Sequence, residues 1–233
     1  MSPIIRNIIF GILLIVIILL VIHFFRSTNS HLSGLNPGNK LVKIPSSKIA
    51  ANKNSNNYAY SIWFYVSDWQ YRLSSEKSLI TRNSNSGNSA SNPHILLASH
   101  TNDIKINVDT VGGNNKGSDC SIRNFPLQRW VNLIVSLNGR TLDVYLDGKL
   151  VRTCILPGVA KPIGESDIQI TPGGGFAGWT SRLKYWAQPL NPQEAFNVYK
   201  EGPGGSSWSN IFEKYKLRIT YLVDNVEQGS ISI

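Results

Sequence analysis

The sequence has few of the residues that build metal or redox sites. Of its 233 residues, two are cysteine and four are histidine. It contains no CxxC motif, and His23, His31, His94 and His100 are scattered along the chain. Zinc sites need clustered cysteine and histidine ligands. We therefore expect no metal and no other cofactor.

Acidic residues are missing from the first 57 positions. That stretch contains six basic residues and supplies +6 of the formal net charge of +9, whereas the rest has 23 − 6 = 17 basic and 14 acidic residues, a balance of +3. The six are Arg6, Arg26, Lys40, Lys43, Lys48 and Lys53. The near-neutral remainder also lacks clustered Arg and Lys with interleaved aromatics, so we expect no nucleic-acid partner.

One long apolar run precedes the polar chain. Positions 8–25 (IIFGILLIVIILLVIHFF) hold no full charge. About 20 apolar residues cross a bilayer core of about 30 Å, whereas the apolar core of a cleaved signal peptide has about 7–15. We predict an uncleaved transmembrane helix over residues 4–26, which makes the lipid bilayer a partner. The anchoring side chains are Ile8, Phe10, Leu13, Leu14, Ile17, Leu20 and Phe24.

Flanking charge predicts which side of the membrane the domain faces. Arg26, Lys40 and Lys43 follow the run, whereas only Arg6 and the α-amino group precede it, so the positive-inside rule favours a cytosolic C-terminal domain. No N-x-Ser/Thr sequon is present, and a cytosolic domain needs none. We therefore predict a single-pass membrane protein with its domain on the cytosolic side.

The two cysteines leave two alternatives open. Cys120 and Cys154 flank a central hairpin and are 34 positions apart, so they can pair across neighbouring strands as a disulfide. A cytosolic location favours free buried thiols instead.

Composition divides the rest of the chain. Residues 27–57 are rich in Ser, Asn, Lys, Gly and Pro and predict a polar, basic, extended stalk, either lying against anionic lipid or simply solvated. From Tyr58, short aromatic and β-branched segments alternate with Gly, Asn, Pro and Asp clusters. This pattern predicts an all-β antiparallel sandwich over residues 58–205, and alternating apolar positions predict a C-terminal β extension over 206–233.

The hairpin and one helix have specific signals. Asn138-Gly139 and Asp147-Gly148 offer the positive-φ residues of two-residue hairpin turns, between strands with one apolar and one mixed face. Asn191, with Pro192 and Glu194 after it, is typical of a helix start, and the glycines from Gly202 end that helix.

The same residues carry a family resemblance. Segments 130–133 (WVNL), 142–149 (LDVYLDGK), 176–179 (FAGW), 183–186 (LKYW) and 188–195 (QPLNPQEA) resemble, in order and spacing, the signatures of laminin-G-like domains of the concanavalin A-like lectin/glucanase superfamily. The resemblance covers roughly Tyr58 to Gly202. It implies a jelly-roll sandwich with one short helix.

Catalytic and calcium sites known in that superfamily are not matched. Its glucanases use an E-x-D-x-E set of carboxylates, but here only Glu165 and Asp167 are acidic and Gln169 stands in the third place. Asp103, Asp109 and Asp119 lie near loops, without the dense oxygen ligands that calcium needs. The sequence predicts no enzyme and no bound metal.

Aromatic residues are the remaining candidates for a site. Trp69, Tyr71 and Trp208 lie in loop-like contexts and are candidates for stacking on sugar rings, a role also open to Trp179. Trp63, Trp130 and Trp186 lie on strands and are expected to pack in the interior.

These features predict a non-catalytic, membrane-anchored binding or scaffold protein. An anchor, a stalk rich in Asn and Ser and one such domain resemble membrane-associated structural proteins of large eukaryotic DNA viruses. That resemblance implies a minor capsid protein of the virion that lies between inner membrane and capsid shell and tethers one to the other, with capsid proteins as partners. A glycan-binding surface lectin is the alternative, and a glycoside hydrolase ranks third.

Overall fold

A computed structural model describes residues 14–15, 31–49, 56–83, 91–112, 120–204, 218–223 and 226–232. Its α-helix in the C-terminal half is α1 (Pro192–Lys200), and 3-10 turns lie at Ser46–Lys48 and Pro172–Gly174. In chain order the strands are β1 (Asn36–Pro37), β2 (Val42–Ile44), β3 (Tyr58–Asp68), β4 (Lys77–Asn83), β5 (Ser91–Leu97), β6 (Ile104–Asn107), β7 (Cys120–Ile122), β8 (Trp130–Asn138), β9 (Thr141–Leu146), β10 (Lys149–Ile155), β11 (Ile168–Ile170), β12 (Ala177–Trp186), β13 (Arg218–Val223) and β14 (Val226–Ser232).

Twelve strands form two six-stranded antiparallel sheets. Sheet 1 has the order β1-β12-β3-β8-β9-β10, and sheet 2 has the order β2-β11-β4-β5-β6-β7. Strands β13 and β14 form a separate hairpin within the predicted C-terminal extension. The predicted all-β antiparallel sandwich with one short helix is confirmed.

The core lies between the two sheets and follows from strand alternation. Tyr60, Ile62 and Phe64 of β3 point inward, as do Val131, Leu133 and Val135 of β8. Successive side chains of a strand point to opposite faces, so Trp63 and Tyr65 of β3 and Trp130 of β8 face outward. The apolar face predicted for the central hairpin is the face that packs in this core.

Part of the predicted stalk belongs to the sandwich. Within residues 27–57, β1 pairs with β12 at the edge of sheet 1, and β2 pairs with β11 at the edge of sheet 2. Ile44 and Ile49 are buried in the core. The sandwich therefore begins before the predicted boundary at Tyr58. Strands of two and three residues are too short to show a period-2 pattern, so backbone pairing with β12 and β11 is what defines them.

The glycine occupies the second loop position in one hairpin turn and the first loop position in the other. Asp147 (φ 49°) and Gly148 (φ 73°) are the two loop residues between β9 and β10, as the sequence predicts, and their positive φ values are those of a type I′ turn. Between β8 and β9, Asn138 instead pairs with Thr141, so Gly139 (φ 60°) is the first loop residue, as in a type II′ turn.

Helix α1 covers part of the outer face of sheet 1. The predicted start is present: Asn191 Oδ1 accepts the Glu194 amide proton at 2.9 Å, and Glu194 Oε2 accepts the Asn191 amide proton at 2.8 Å. The helix buries Ala195 and Val198 against Ile134 and Tyr145 of the sheet. This contact explains why the mixed face of the hairpin contains buried apolar residues.

A disulfide joins the two sheets along one side. Cys120 of β7 and Cys154 of β10 are bonded, with Cα atoms 6.0 Å apart. Since β7 and β10 are the edge strands of sheet 2 and sheet 1, the bond links those edges. The structure thus contains the first of the two alternatives for the cysteine pair.

The predicted anchor over residues 4–26 lies outside the described residues, apart from Leu14 and Ile15, which are helical. Among the residues that the structure describes, no helix has the length and apolar character to span a membrane.

Candidate functional site

The aromatic residues predicted to contact a ligand lie at a rim of the sandwich or outside the described chain. Trp69 is half-buried: its ring meets Phe125 edge to face at 5.8 Å. Tyr71 lies in the same loop after β3, and its hydroxyl donates to the Gly174 carbonyl at 3.3 Å. Trp208 lies outside the described residues.

The three tryptophans that the sequence places in the interior differ in how deeply they are buried. Trp63 is buried and stacks on Tyr199 at 5.6 Å. Trp186 packs against the apolar cluster under helix α1. Trp130 is only half-buried and faces outward beside Tyr65, with ring centroids 5.8 Å apart.

Strand register places three aromatic side chains in one line on the outer face of sheet 1. Trp179 of β12 is directly opposite Tyr65 of β3, which is directly opposite Trp130 of β8. We call these three residues the aromatic row. It spans two strand spacings, about 10 Å. Trp179 is 44% exposed and the other two rings are half-buried, so the row is open to solvent.

The row lies beyond the part of the face that helix α1 covers. Tyr199 covers Trp63, and Ser181, which is opposite Trp63, donates its hydroxyl to the Pro203 carbonyl at 2.9 Å. Tyr65 is the next outward position along β3. The helix ends at this point because Gly202 takes a positive φ of 73°.

A glycine allows the strands of the row to approach. Gly178 has φ 146°, and a Cβ atom built there would overlap the carbonyl oxygen of Tyr65. A register shift between Ala177 and Gly178 accompanies this contact. Gly178 therefore positions Trp179 opposite Tyr65.

A charged pair flanks one end of the row. Arg129, next to Trp130, donates from Nη2 to Asp147 Oδ2 at 2.7 Å, and its side chain is 56% exposed. The other oxygen, Asp147 Oδ1, accepts the Asn132 amide proton at 2.9 Å. The turn aspartate thus anchors the β9–β10 hairpin to β8 and holds the guanidinium beside the row.

The carboxylates considered for catalysis tie loops together. Glu165 and Asp167 precede β11 in a loop, and Asp167 Oδ1 accepts the Ser46 amide proton at 2.9 Å. Ser166 between them is buried and accepts from Arg82. The candidate site residues that the described structure brings together are the three aromatic residues of the row, and Asp147 is the carboxylate at the Trp130 end of the row.

The carboxylates considered for calcium have similar partners. Asp103 accepts the Asn124 amide proton at 3.0 Å and the Thr101 hydroxyl proton at 2.8 Å, and these bonds lower the pKa of Asp103. Asp109 accepts the Ser91 amide proton at 2.7 Å, whereas Asp119 lies outside the described residues. Within the described ranges, no three His, Cys, Asp or Glu side chains are grouped to hold a metal.

Sequence reasoning did not find the row. It placed Trp130 in the interior and named Trp179 only as one of several possible stacking residues. The available signal was parity: Trp130 precedes Val131, Leu133 and Val135, which alternate inward, so Trp130 belongs to the opposite face.

A family model described as concanavalin A-like lectin/glucanases superfamily matches residues 36–195 of the chain, a segment that begins at β1. No curated protein sequence matches the chain.

Solved structures share the fold. The receptor-binding domain of botulinum neurotoxin D aligns with a TM-score of 0.55 and 13% identity, over 74% of this chain and 45% of that one. The serotype G binding domain gives 0.51 and 15%, over 74% and 47%. The serotype D ligand-binding domain, solved in complex with N-acetylneuraminic acid, gives 0.52 and 12%, over 74% and 43%. This chain spans less than half of each of these structures.

Proposed function

The chain belongs to the concanavalin A-like lectin/glucanase superfamily, and we propose that its sandwich is a non-catalytic domain that binds glycans through the aromatic row. One observation supports this proposal above all. Trp179, Tyr65 and Trp130 form a line of rings open to solvent, at the part of the sheet that the helix leaves uncovered. Exposed apolar patches of this kind mark binding surfaces.

The chemistry of the row suits a sugar chain. The negative face of an aromatic ring attracts the slightly positive C–H bonds of a sugar ring. Arg129 and Asp147 at the end of the row supply a hydrogen-bond donor and acceptor for hydroxyl groups. A row about 10 Å long gives room for about two sugar rings.

A glycan array probed with the full chain, followed by titration of the best ligand, tests the proposal. We expect Trp179→Ala to weaken binding at least tenfold, about the effect of losing 1.4 kcal/mol of contact energy. Phe196→Ala is the matched control, since Phe196 is a comparably exposed aromatic (41%) that lies on helix α1. Equal losses for both variants, or no ligand on the array, would contradict the proposal.

A protein partner is the second candidate for the same surface. Trp, Tyr and Arg are the residues that dominate binding at protein interfaces, and the row with Arg129 has this composition. We propose on this basis, as the second candidate function, that the domain tethers a membrane to a capsid and that the tether uses the row. Crosslinking and mass spectrometry on intact particles would then place an abundant structural protein at Trp179.

The membrane anchor and the location of the domain stay predictions. The anchor rests on the apolar run over 4–26. The disulfide favours an oxidising compartment over the cytosol, because cytosolic proteins keep their thiols reduced. Labelling of the lysines of the native protein with a membrane-impermeant amine reagent, before and after permeabilisation, tests which side the domain occupies.

A further inference from the structure

A buried lysine lies at the rim of the sandwich without an opposite charge. Lys77, the first residue of β4, has no exposed surface. Its ammonium group donates to the Ser75 carbonyl at 3.3 Å and lies 4.5 Å from the centre of the Trp69 ring. In the described part of the chain no carboxylate pairs with it, and the neighbouring Glu76 pairs with Lys105.

The charged side chain that affects the pKa of Lys77 is also positive. Burial lowers the pKa of Lys77, and the Arg72 guanidinium lowers it further. Burying a charge that lacks a partner is costly, so an ordinary core position would hold an apolar residue. Lys77 therefore carries a buried positive charge that a negative group from outside the chain would stabilise.

Arg72 is held next to this lysine by a glycine turn. Its guanidinium donates to the carbonyls of Gly173 and Gly175. Gly174 has φ 88°, and a Cβ atom there would lie 3.2 Å from the guanidinium. We call Trp69, Arg72 and Lys77 the cationic rim.

We propose that the cationic rim binds the carboxylate of an acidic sugar. This inference rests on the proposed glycan-binding function and narrows it to acidic oligosaccharides. The carboxylate of the sugar pairs with the Arg72 guanidinium, because both groups are planar and their hydrogen-bonding atoms match. The Lys77 ammonium beneath Trp69 adds attraction in a water-poor surrounding, where charges act strongly, and the sugar ring lies against Trp69.

The rim and the aromatic row lie near each other along the chain. Trp69 follows Tyr65 of the row by four positions, which limits the separation of their backbones to about 14 Å.

Calorimetric titration of the full chain with sialyllactose and with lactose tests this inference. We expect the acidic sugar to bind at least tenfold more tightly, and Lys77→Met and Arg72→Gln each to remove most of that preference. Lys77→Met keeps the side-chain length and removes the buried charge, so the variant should fold. The control Lys105→Met removes a half-exposed lysine that is paired with Glu76, and should leave the preference unchanged.

The outcomes separate the rim from the proposed function. If both sugars bind equally and Trp179→Ala weakens both, the rim inference is overturned while glycan binding stands. If neither sugar binds, glycan binding fails, and the rim is then judged by thermal unfolding in N-acetylneuraminate and in sulfate at matched ionic strength. Stabilisation by N-acetylneuraminate that Lys77→Met abolishes supports the rim. Equal stabilisation by sulfate, or none by either anion, overturns it.

Discussion

Removing the disulfide should lower the stability of the sandwich substantially. The bond between Cys120 and Cys154 closes a loop of 34 residues. The chain-entropy relation for a loop of this length gives a stabilisation of about 4 kcal/mol. The bond joins edge strands of opposite sheets, and no backbone pairing links β7 to β10. Its loss therefore removes a connection between the sheets that backbone hydrogen bonds do not replace. We therefore expect Cys120→Ala/Cys154→Ala to fold with a much lower free energy of unfolding.

Urea unfolding followed by tryptophan fluorescence measures this change. Reductant should lower the stability of the unaltered protein by a similar amount and should leave the double variant unaffected, which is the control. Two results would refute the reasoning. One is the recovery of two free thiols when the native protein is unfolded and alkylated without reductant. The other is a loss below about 1 kcal/mol, which a loop of this length does not predict.

Three further predictions concern local features. Burial lowers the pKa of His94 below its ordinary value of about 6.5, so the unfolded chain binds more protons just below that pH. The free energy of unfolding should then fall as the pH drops from about 6.5 towards the lowered pKa, and less so in His94→Asn; identical pH profiles in urea unfolding would contradict this. Gly178→Ala should destabilise by about 2 kcal/mol or more, because the added methyl group overlaps the Tyr65 carbonyl, and it should weaken glycan binding; an unchanged melting temperature would show that β12 can shift. Asn191→Ala removes the helix cap and should cost about 1 kcal/mol in urea unfolding, whereas Asn191→Asp should cost little; equal losses would exclude capping as the cause.

Much of the fold could be predicted because its signals are local. Alternating apolar residues in β8 and β9 indicate which face packs in the core between the sheets. Asp147 and Gly148 form the hairpin turn because this turn requires positive φ at both positions, which few other residue pairs tolerate. The cap at Asn191 needs only a partner three residues away. Each of these features depends on a few neighbouring residues.

The candidate sites could not be predicted because they depend on pairing between distant segments. Trp179 meets Tyr65 only through the register of β12 on β3, which Gly178 permits. Lys77 has no exposed surface, and its ammonium group lies beneath Trp69, a residue of the preceding loop.

By itself the sequence determined the longer strands, the Asp147-Gly148 turn, the helix and the family, since each follows from short-range preferences and ordered motifs. Tertiary structure alone decided which outward residues share a line, which short segments become edge strands, and which cation is buried without a counter-charge. Those properties arise from contacts between residues far apart in the chain, and local preferences do not specify such contacts.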